Sequence, residues 1–254
     1  MHSLEPFQRP PWIVAHRGVS ARFPENTLAA FDAAVDAGAD ALELDLQFSL
    51  DGEWLVCHDR TLTRYGYAGR TVPTMEADSL RALDMGRWFD PVFSGERMPK
   101  LDQVLERYGR VLPLCLEIKV RDDTEERKEA MLAALLEDVA TQPASQGLYV
   151  LSFDVDWLER LHVAAPSLPL IWNLRVTDRI SESDLATRQW LWGIDLPIAP
   201  LAPEQVQMGH DLGRVVWCYT CNDPADVRRA AACGVDAIVT DDPEATRAIL
   251  LEGK

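Results

Sequence analysis

Short apolar runs recur along this chain with amphipathic stretches between them, and that alternation limits the fold more than any other feature. Strand-length runs separated by helix-length segments are the pattern of parallel strands joined by crossover helices. The first run, WIVAH, ends at His16, and Asn26 to Ala37 carries apolar residues at helical spacing until Gly38 stops it. ALELDL, Ala41 to Leu46, is the second strand; beyond Asp51 and Gly52 the run WLVCHD continues it or returns as a hairpin partner. From Arg60 to near Lys100 the rhythm breaks in a stretch rich in Gly, Pro and Arg, too long for an ordinary loop, which reads as an insertion capping one end. Alternation then resumes with helices at Leu101 to Tyr108 and Thr124 to Ala140 around a strand at Leu112 to Lys119. Further strands follow at Leu148 to Phe153, Leu168 to Trp172, Trp190 to Ile194, Val215 to Tyr219 and Ala237 to Thr240, and a helix at Pro243 to Leu251 closes the series. About eight strands predict an α/β chain folded as one closed (β/α)8 TIM barrel rather than an open doubly wound sheet. The expectation is a single domain over residues 1–254 with a small insertion after the second strand, at roughly 60–100.

Composition removes whole classes of function. With 47% hydrophobic and 26% charged residues the chain can bury a large core and stay soluble. No run approaches the roughly 18–20 apolar residues of a membrane span, and MHSLEPFQRPPW lacks the apolar centre of a secretion signal, so no stable membrane insertion and a cytoplasmic location are expected. Cys57, Cys115, Cys218, Cys221 and Cys233 are odd in number and suit reduced thiols. Cys218 and Cys221 have redox-like spacing, but strand positions three apart face opposite sides. A net charge of −16 argues against nucleic acid as a partner. It also requires any site for an anion to concentrate positive charge locally. Neither a Gly-rich dinucleotide fingerprint nor a phosphate-binding loop is present.

The second strand carries the chemistry. Period-two alternation puts Leu42, Leu44 and Leu46 on one face and Glu43 with Asp45 on the other. In a barrel the leucines pack under helices, and both carboxylates point inward near the C-terminal end, where barrel enzymes place their active sites. The strand ending at Lys119 repeats this, with Glu117 and Lys119 sharing the inward face. Like charges about 4 Å apart at an effective dielectric near 20 repel by about 4 kcal/mol, so three carboxylates at one mouth need a cation, protons or basic partners. An all-oxygen set suits one divalent cation, Mg²⁺ or Ca²⁺. The plainer alternative is an ion-pair network of the three acids with Arg17 and Lys119, though such pairs contribute little net stability.

His16 and His58 both end strand-like runs and fall at the same mouth. Each alone is most simply a hydrogen-bonded structural residue; together beside an acidic metal site they form an acid/base pair poised near neutral pH. Arg17 precedes Gly18, which allows a sharp turn, so Arg17 and Lys119 are candidates to bind an anion. His2 lies in a tail, while His162 and His210 read as surface or capping residues. Trp88, Phe89 and Phe93 in the insertion could form an apolar lip or pack it onto the barrel.

In order and spacing, His-Arg-Gly at 16–18, Pro-Glu-Asn-Thr at 24–27, Glu-Leu-Asp at 43–45, His-Asp at 58–59 and Glu-Ile-Lys at 117–119 resemble the glycerophosphodiester phosphodiesterases. Ser152 to Asp154 and the segment from Gly234 to Pro243 extend the likeness over nearly the whole chain. The resemblance implies His16 and His58 as the catalytic pair, Glu43, Asp45 and Glu117 as metal ligands, and Arg17 and Lys119 near the phosphate. It also implies glycerophosphodiesters such as glycerophosphocholine as small-molecule substrates, hydrolysed to an alcohol and sn-glycerol 3-phosphate. Two departures bear on the alcohol: Tyr219, Thr220, Cys221 and Asn222 stand where the family commonly has Trp-Thr-Val-Asn, and Cys115 where an Asn is common. Tyr219 is therefore a candidate substrate contact. The competing readings are a lysophospholipase D-type enzyme on the same site and a non-catalytic barrel that binds a phosphorylated ligand.

Overall fold

The computed structural model describes residues 11–121, 123–141 and 147–252, so His2 lies outside the described residues. The strands are β1 (Trp12–His16), β2 (Ala41–Phe48), β3 (Trp54–Val56), β4 (Leu114–Ile118), β5 (Leu148–Ser152), β6 (Leu170–Asn173), β7 (Gly193–Pro197), β8 (Val215–Tyr219) and β9 (Ala237–Thr240). They run in the order β1-β9-β8-β7-β6-β5-β4-β2-β3, and β1 also pairs with β2, which closes a parallel barrel. Strand β3 stays outside the ring as an antiparallel hairpin partner of β2, with Leu46 opposite Val56. Helices α1 (Leu28–Asp36), α2 (Ala77–Arg81), α3 (Leu101–Tyr108), α4 (Glu125–Thr141), α5 (Val155–Ala164), α6 (Glu182–Thr187), α7 (Pro203–Asp211), α8 (Pro224–Cys233) and α9 (Pro243–Glu252) complete the chain.

Strand alternation divides the apolar residues into two cores. Leu42, Leu44, Leu46, Leu114, Leu116 and Ile118 face outward into a large cluster with the helices. Facing inward, Trp12, Tyr149, Trp192, Trp217 and their neighbours fill the barrel below its C-terminal mouth. The filled interior leaves polar side chains room only at the upper end, as the carboxylate positions require.

Local chemistry shifts two boundaries from the expected ones and leaves a third in place. Helix α1 starts after Thr27, whose hydroxyl accepts the Ala30 N–H, because Asn26 sits in the left-handed region at φ 58°. Strand β7 begins at Gly193 rather than Trp190, and the close approach of β8 there favours a glycine: a Cβ would lie 2.4 Å from Val215 Cγ2. Trp190 instead stacks on His162, ring centroids 5.3 Å apart. The shift carries Asp195 into the barrel, where it is 3% exposed. Strand β8 ends at Tyr219 as expected, and the period-two rule therefore does not reach Cys221: Cys218 and Cys221 share the outer core, both free, with sulfurs 3.8 Å apart.

Between β3 and α3 the chain builds a small core of its own from Leu55, Leu62, Tyr65, Val72, Leu80, Leu83, Met85 and Met98. Trp88 packs edge-on against Tyr65, Phe89 meets Trp88 and Phe93, and Phe93 meets Phe23. The insertion's aromatic residues thus hold it together and onto the barrel. Asp84 ties its far loop: one carboxylate oxygen accepts the Gly86 and Arg87 N–H groups at 3.0 Å, the other the Ser94 hydroxyl at 2.8 Å and the Gly95 N–H at 3.0 Å. The Arg87 N–H bond leads the interactions that depress this carboxyl to about 2. A depressed carboxylate contributes stability that is complete above its ordinary pKa and is lost as pH falls toward the folded value. Asp84→Ala should cost about 1–2 kcal/mol at neutral pH and raise amide exchange from residue 84 to residue 96. The deficit relative to the unmutated chain should shrink as pH is lowered from about 4 toward 2.

Candidate active site

The site grows from strand register. Pairing β1 with β2 sets His16 beside Glu43, and pairing β2 with β4 sets Asp45 beside Glu117. Glu43, Asp45 and Glu117 are 3%, 0% and 7% exposed, and each offers an oxygen within 4.8 Å of the others'. Two cations reach this cluster. Arg17 Nε lies 2.9 Å from Asp45 Oδ2, and Lys119 Nζ is 2.7 Å from Asp45 Oδ1 and bonded to Glu117 as well. Asn26 fixes Asp45 further, donating to Oδ2 at 2.8 Å while its own oxygen accepts the Asp45 N–H at 3.2 Å.

The turn that presents Arg17 is tight. Arg17 has φ 57° and its N–H reaches Glu43 Oε2 at 3.0 Å, while at Gly18, φ 85°, a Cβ would stand 2.5 Å from the Ala30 carbonyl oxygen.

The charges are unevenly satisfied. Burial opposes ionisation of Asp45, yet Lys119 and Arg17 outweigh it and hold the carboxyl well below its ordinary value. Glu43 goes the other way: burial, then the charges of Asp45 and Glu117, push it well above the carboxylate range. Its Oε1 is buried with no hydrogen-bond partner. The ion-pair network anticipated for Arg17 and Lys119 is therefore formed, but it leaves Glu43 unanswered. An unpartnered carboxylate oxygen in an all-oxygen group of three fits a hard divalent cation.

The two imidazoles flank the cluster and are held alike. His16 Nδ1 is 2.6 Å from Asp241 Oδ1, and Asp241 Oδ2 accepts from Asn222 Nδ2 at 2.7 Å. His58 Nδ1 is 2.6 Å from Asp59 Oδ1, and Asp59 Oδ2 accepts from Arg64 Nε at 2.8 Å. A carboxylate at Nδ1 fixes the ring and leaves Nε2 for proton transfer. Burial lowers the His58 pKa, with Lys119 and Arg17 adding to the effect against Asp45 and Asp59.

Sequence reasoning missed these orienting groups, although Asp59 directly follows His58 and Asp241 follows the last strand. It also missed Asn173 and Asp195, both 3% exposed, each with an unpartnered oxygen. They line a recess of about 20 Å³ with His16, Glu43 and Glu117. Tyr219 lines it too, but its hydroxyl is committed to the Leu174 carbonyl at 2.5 Å, so only its ring faces the mouth cavities. Trp88, Phe89 and Phe93 line none of the mouth cavities described.

The glycerophosphoryl diester phosphodiesterase family matches residues 16–245. The chain belongs to this family. Among its members, the glycerophosphodiester phosphodiesterase of Bacillus subtilis is 30% identical over 244 residues, 91% of this chain and 83% of the relative. The enzyme of the same name from Caldanaerobacter subterraneus is 31% identical over 237 residues, 91% of this chain and 94% of the relative. A phosphodiesterase from Oleispira antarctica, solved in complex with the product sn-glycerol-3-phosphate, superposes with a TM-score of 0.86 at 26% identity, covering 94% of this chain and 96% of that one. As a family member the chain is an enzyme, a phosphoric diester hydrolase. Among the described residues no helix is long and apolar enough to cross a membrane.

The uneven charge satisfaction has a thermal consequence. Millimolar Mg²⁺ or Ca²⁺ should raise the melting temperature, because a ligand bound only by the folded state stabilises it by mass action. Chelation should reverse the gain, and Glu43→Gln should remove most of it while folding normally. Unaltered cation-induced stabilisation in that variant would exclude Glu43 as a ligand.

Proposed function

We propose that this enzyme hydrolyses glycerophosphodiesters to an alcohol and sn-glycerol 3-phosphate, with His16 as general base and His58 as general acid. The observation that carries the reading is the pair of imidazoles, each anchored through Nδ1 by a carboxylate at 2.6 Å, on either side of three clustered acids.

Glu43, Asp45 and Glu117 would hold one divalent cation, Mg²⁺ or Ca²⁺, which supplies positive charge to a phosphate oxygen as negative charge builds there. Arg17 and Lys119, already at the cluster, add positive charge for the diester and answer the repulsion expected of a chain with net charge −16. His16, with Nδ1 held by Asp241, takes a proton at Nε2 from the nucleophile. That nucleophile is either water, which gives glycerol 3-phosphate directly, or the glycerol 2-hydroxyl, which gives a cyclic phosphate that water then opens to glycerol 3-phosphate. His58 gives its Nε2 proton to the departing alcohol oxygen. Its lowered pKa makes the imidazolium a stronger acid while reducing the share of enzyme that carries it near neutral pH. Asp59 and Asp241 act through the imidazoles and are positioning residues.

A soluble substrate is favoured over a lysophospholipid because Trp88, Phe89 and Phe93 line neither of the cavities at the mouth.

Purified protein with glycerophosphoglycerol should release glycerol 3-phosphate, measured by an enzyme-coupled assay, and a chelator should abolish release. His16→Ala and His58→Ala should each lower kcat by roughly a hundredfold or more, the usual scale of general acid/base catalysis. Near-normal turnover in both would remove them from the mechanism, and turnover that ignores the chelator would remove the cation.

A further inference from the structure

Beside His58 a cavity of about 280 Å³ opens at the mouth, lined in part by Lys119, Arg121, Phe153, Arg175 and Tyr219. Phe153 and Tyr219 meet edge to face with centroids 6.1 Å apart. Such a wall could hold a quaternary ammonium through its ring faces. Here the Arg175 guanidinium already lies over Phe153, 4.8 Å from the ring centroid. A cationic alcohol would have to displace it or sit beside a like charge.

The other charges point the same way. Arg121 is a second arginine lining the cavity; its backbone N–H engages Asp123 Oδ2 at 3.1 Å. Asp178 offsets Arg175 only in part, its Oδ2 accepting the Arg175 N–H at 2.8 Å while standing 3.8 Å from Nη1. Among the described residues lining the cavity Glu117 is the acidic one, and it belongs to the carboxylate cluster bonded to Lys119. Among the described lining residues, Lys119, Arg121 and Arg175 against Glu117, positive charge is in excess.

Resting on the phosphodiesterase reading, we propose that this cavity receives the departing alcohol and selects one that carries its own negative charge, a carboxylate or a second phosphate, over neutral or choline-like alcohols. Arg175 is the specificity-determining residue. Its side chain is 58% exposed, so screening keeps the discrimination moderate, on the order of tenfold between oppositely charged alcohols.

The test is a series of glycerophosphodiesters whose alcohols are 3-hydroxypropionate, glycerol and choline, assayed under one set of divalent-cation and salt conditions. The expected order of kcat/KM is anionic, then neutral, then cationic. Arg175→Met keeps an apolar stem over Phe153 and should shrink the anionic-to-cationic ratio severalfold. Arg228→Met, a surface change at a residue paired with Glu252, alters net charge equally and should leave that ratio in place. Equal kcat/KM for the three diesters, or preference for choline, overturns the proposal while the phosphodiesterase reading stands. So does a ratio unchanged in Arg175→Met, or one reduced as much in Arg228→Met. No turnover of any diester overturns the phosphodiesterase reading, and this one with it.

Discussion

Three carboxylates held where water cannot screen them are the constraint on which the site depends. Glu43, Asp45 and Glu117 cannot all ionise at such separations in a buried mouth without compensation. Arg17 and Lys119 give most of theirs to Asp45, which leaves Glu43 inclined to keep a proton. An active centre assembled purely for stability would replace such a group with apolar residues at no loss. Its retention beside an unpartnered oxygen reads as readiness for an incoming cation, with the ion completing a charge balance that the protein has left open.

The barrel makes this tolerable by keeping the strained chemistry at one end. Below the mouth, Trp12, Tyr149, Trp192 and Trp217 fill the interior with large apolar side chains that set strand spacing. Above them the inward polar positions, among them His16, Glu43, Asp45, Glu117, Lys119, Asn173 and Asp195, gather at the mouth. The helices, packed on the outer leucines, are indifferent to what the mouth contains. Chemistry and stability are thereby assigned to opposite faces of the same strands.

Much of this was legible in the residues because period-two alternation is a local rule. Leu42-Glu43-Leu44-Asp45-Leu46 announces which side chains turn inward without any knowledge of the partner strand. Asp195 escaped because its strand was placed three residues early, on an apolar run whose first members, Trp190 among them, serve a different contact. The proximity of Cys218 and Cys221 escaped because a strand rule was carried past a strand's end. The partners of the histidines lay out of reach for a different reason. Asp241 is 225 positions from His16 along the chain, and only ring closure brings the last strand beside the first.

Arg64 gives the insertion a mechanical role. It bonds Glu25 in the loop after β1 at 2.9 Å through Nη1 and Asp59 at 2.8 Å, and Asp59 in turn holds His58. The insertion carries a hydrophobic core separate from the barrel's two. Warming would therefore loosen it while the ring of strands remains shut, and His58, held through Asp59 and Arg64, would lose its bearing first. Activity would then fade at a lower temperature than the one at which secondary structure melts, a gap set by the Arg64 guanidinium together with the contact of Phe93 with Phe23.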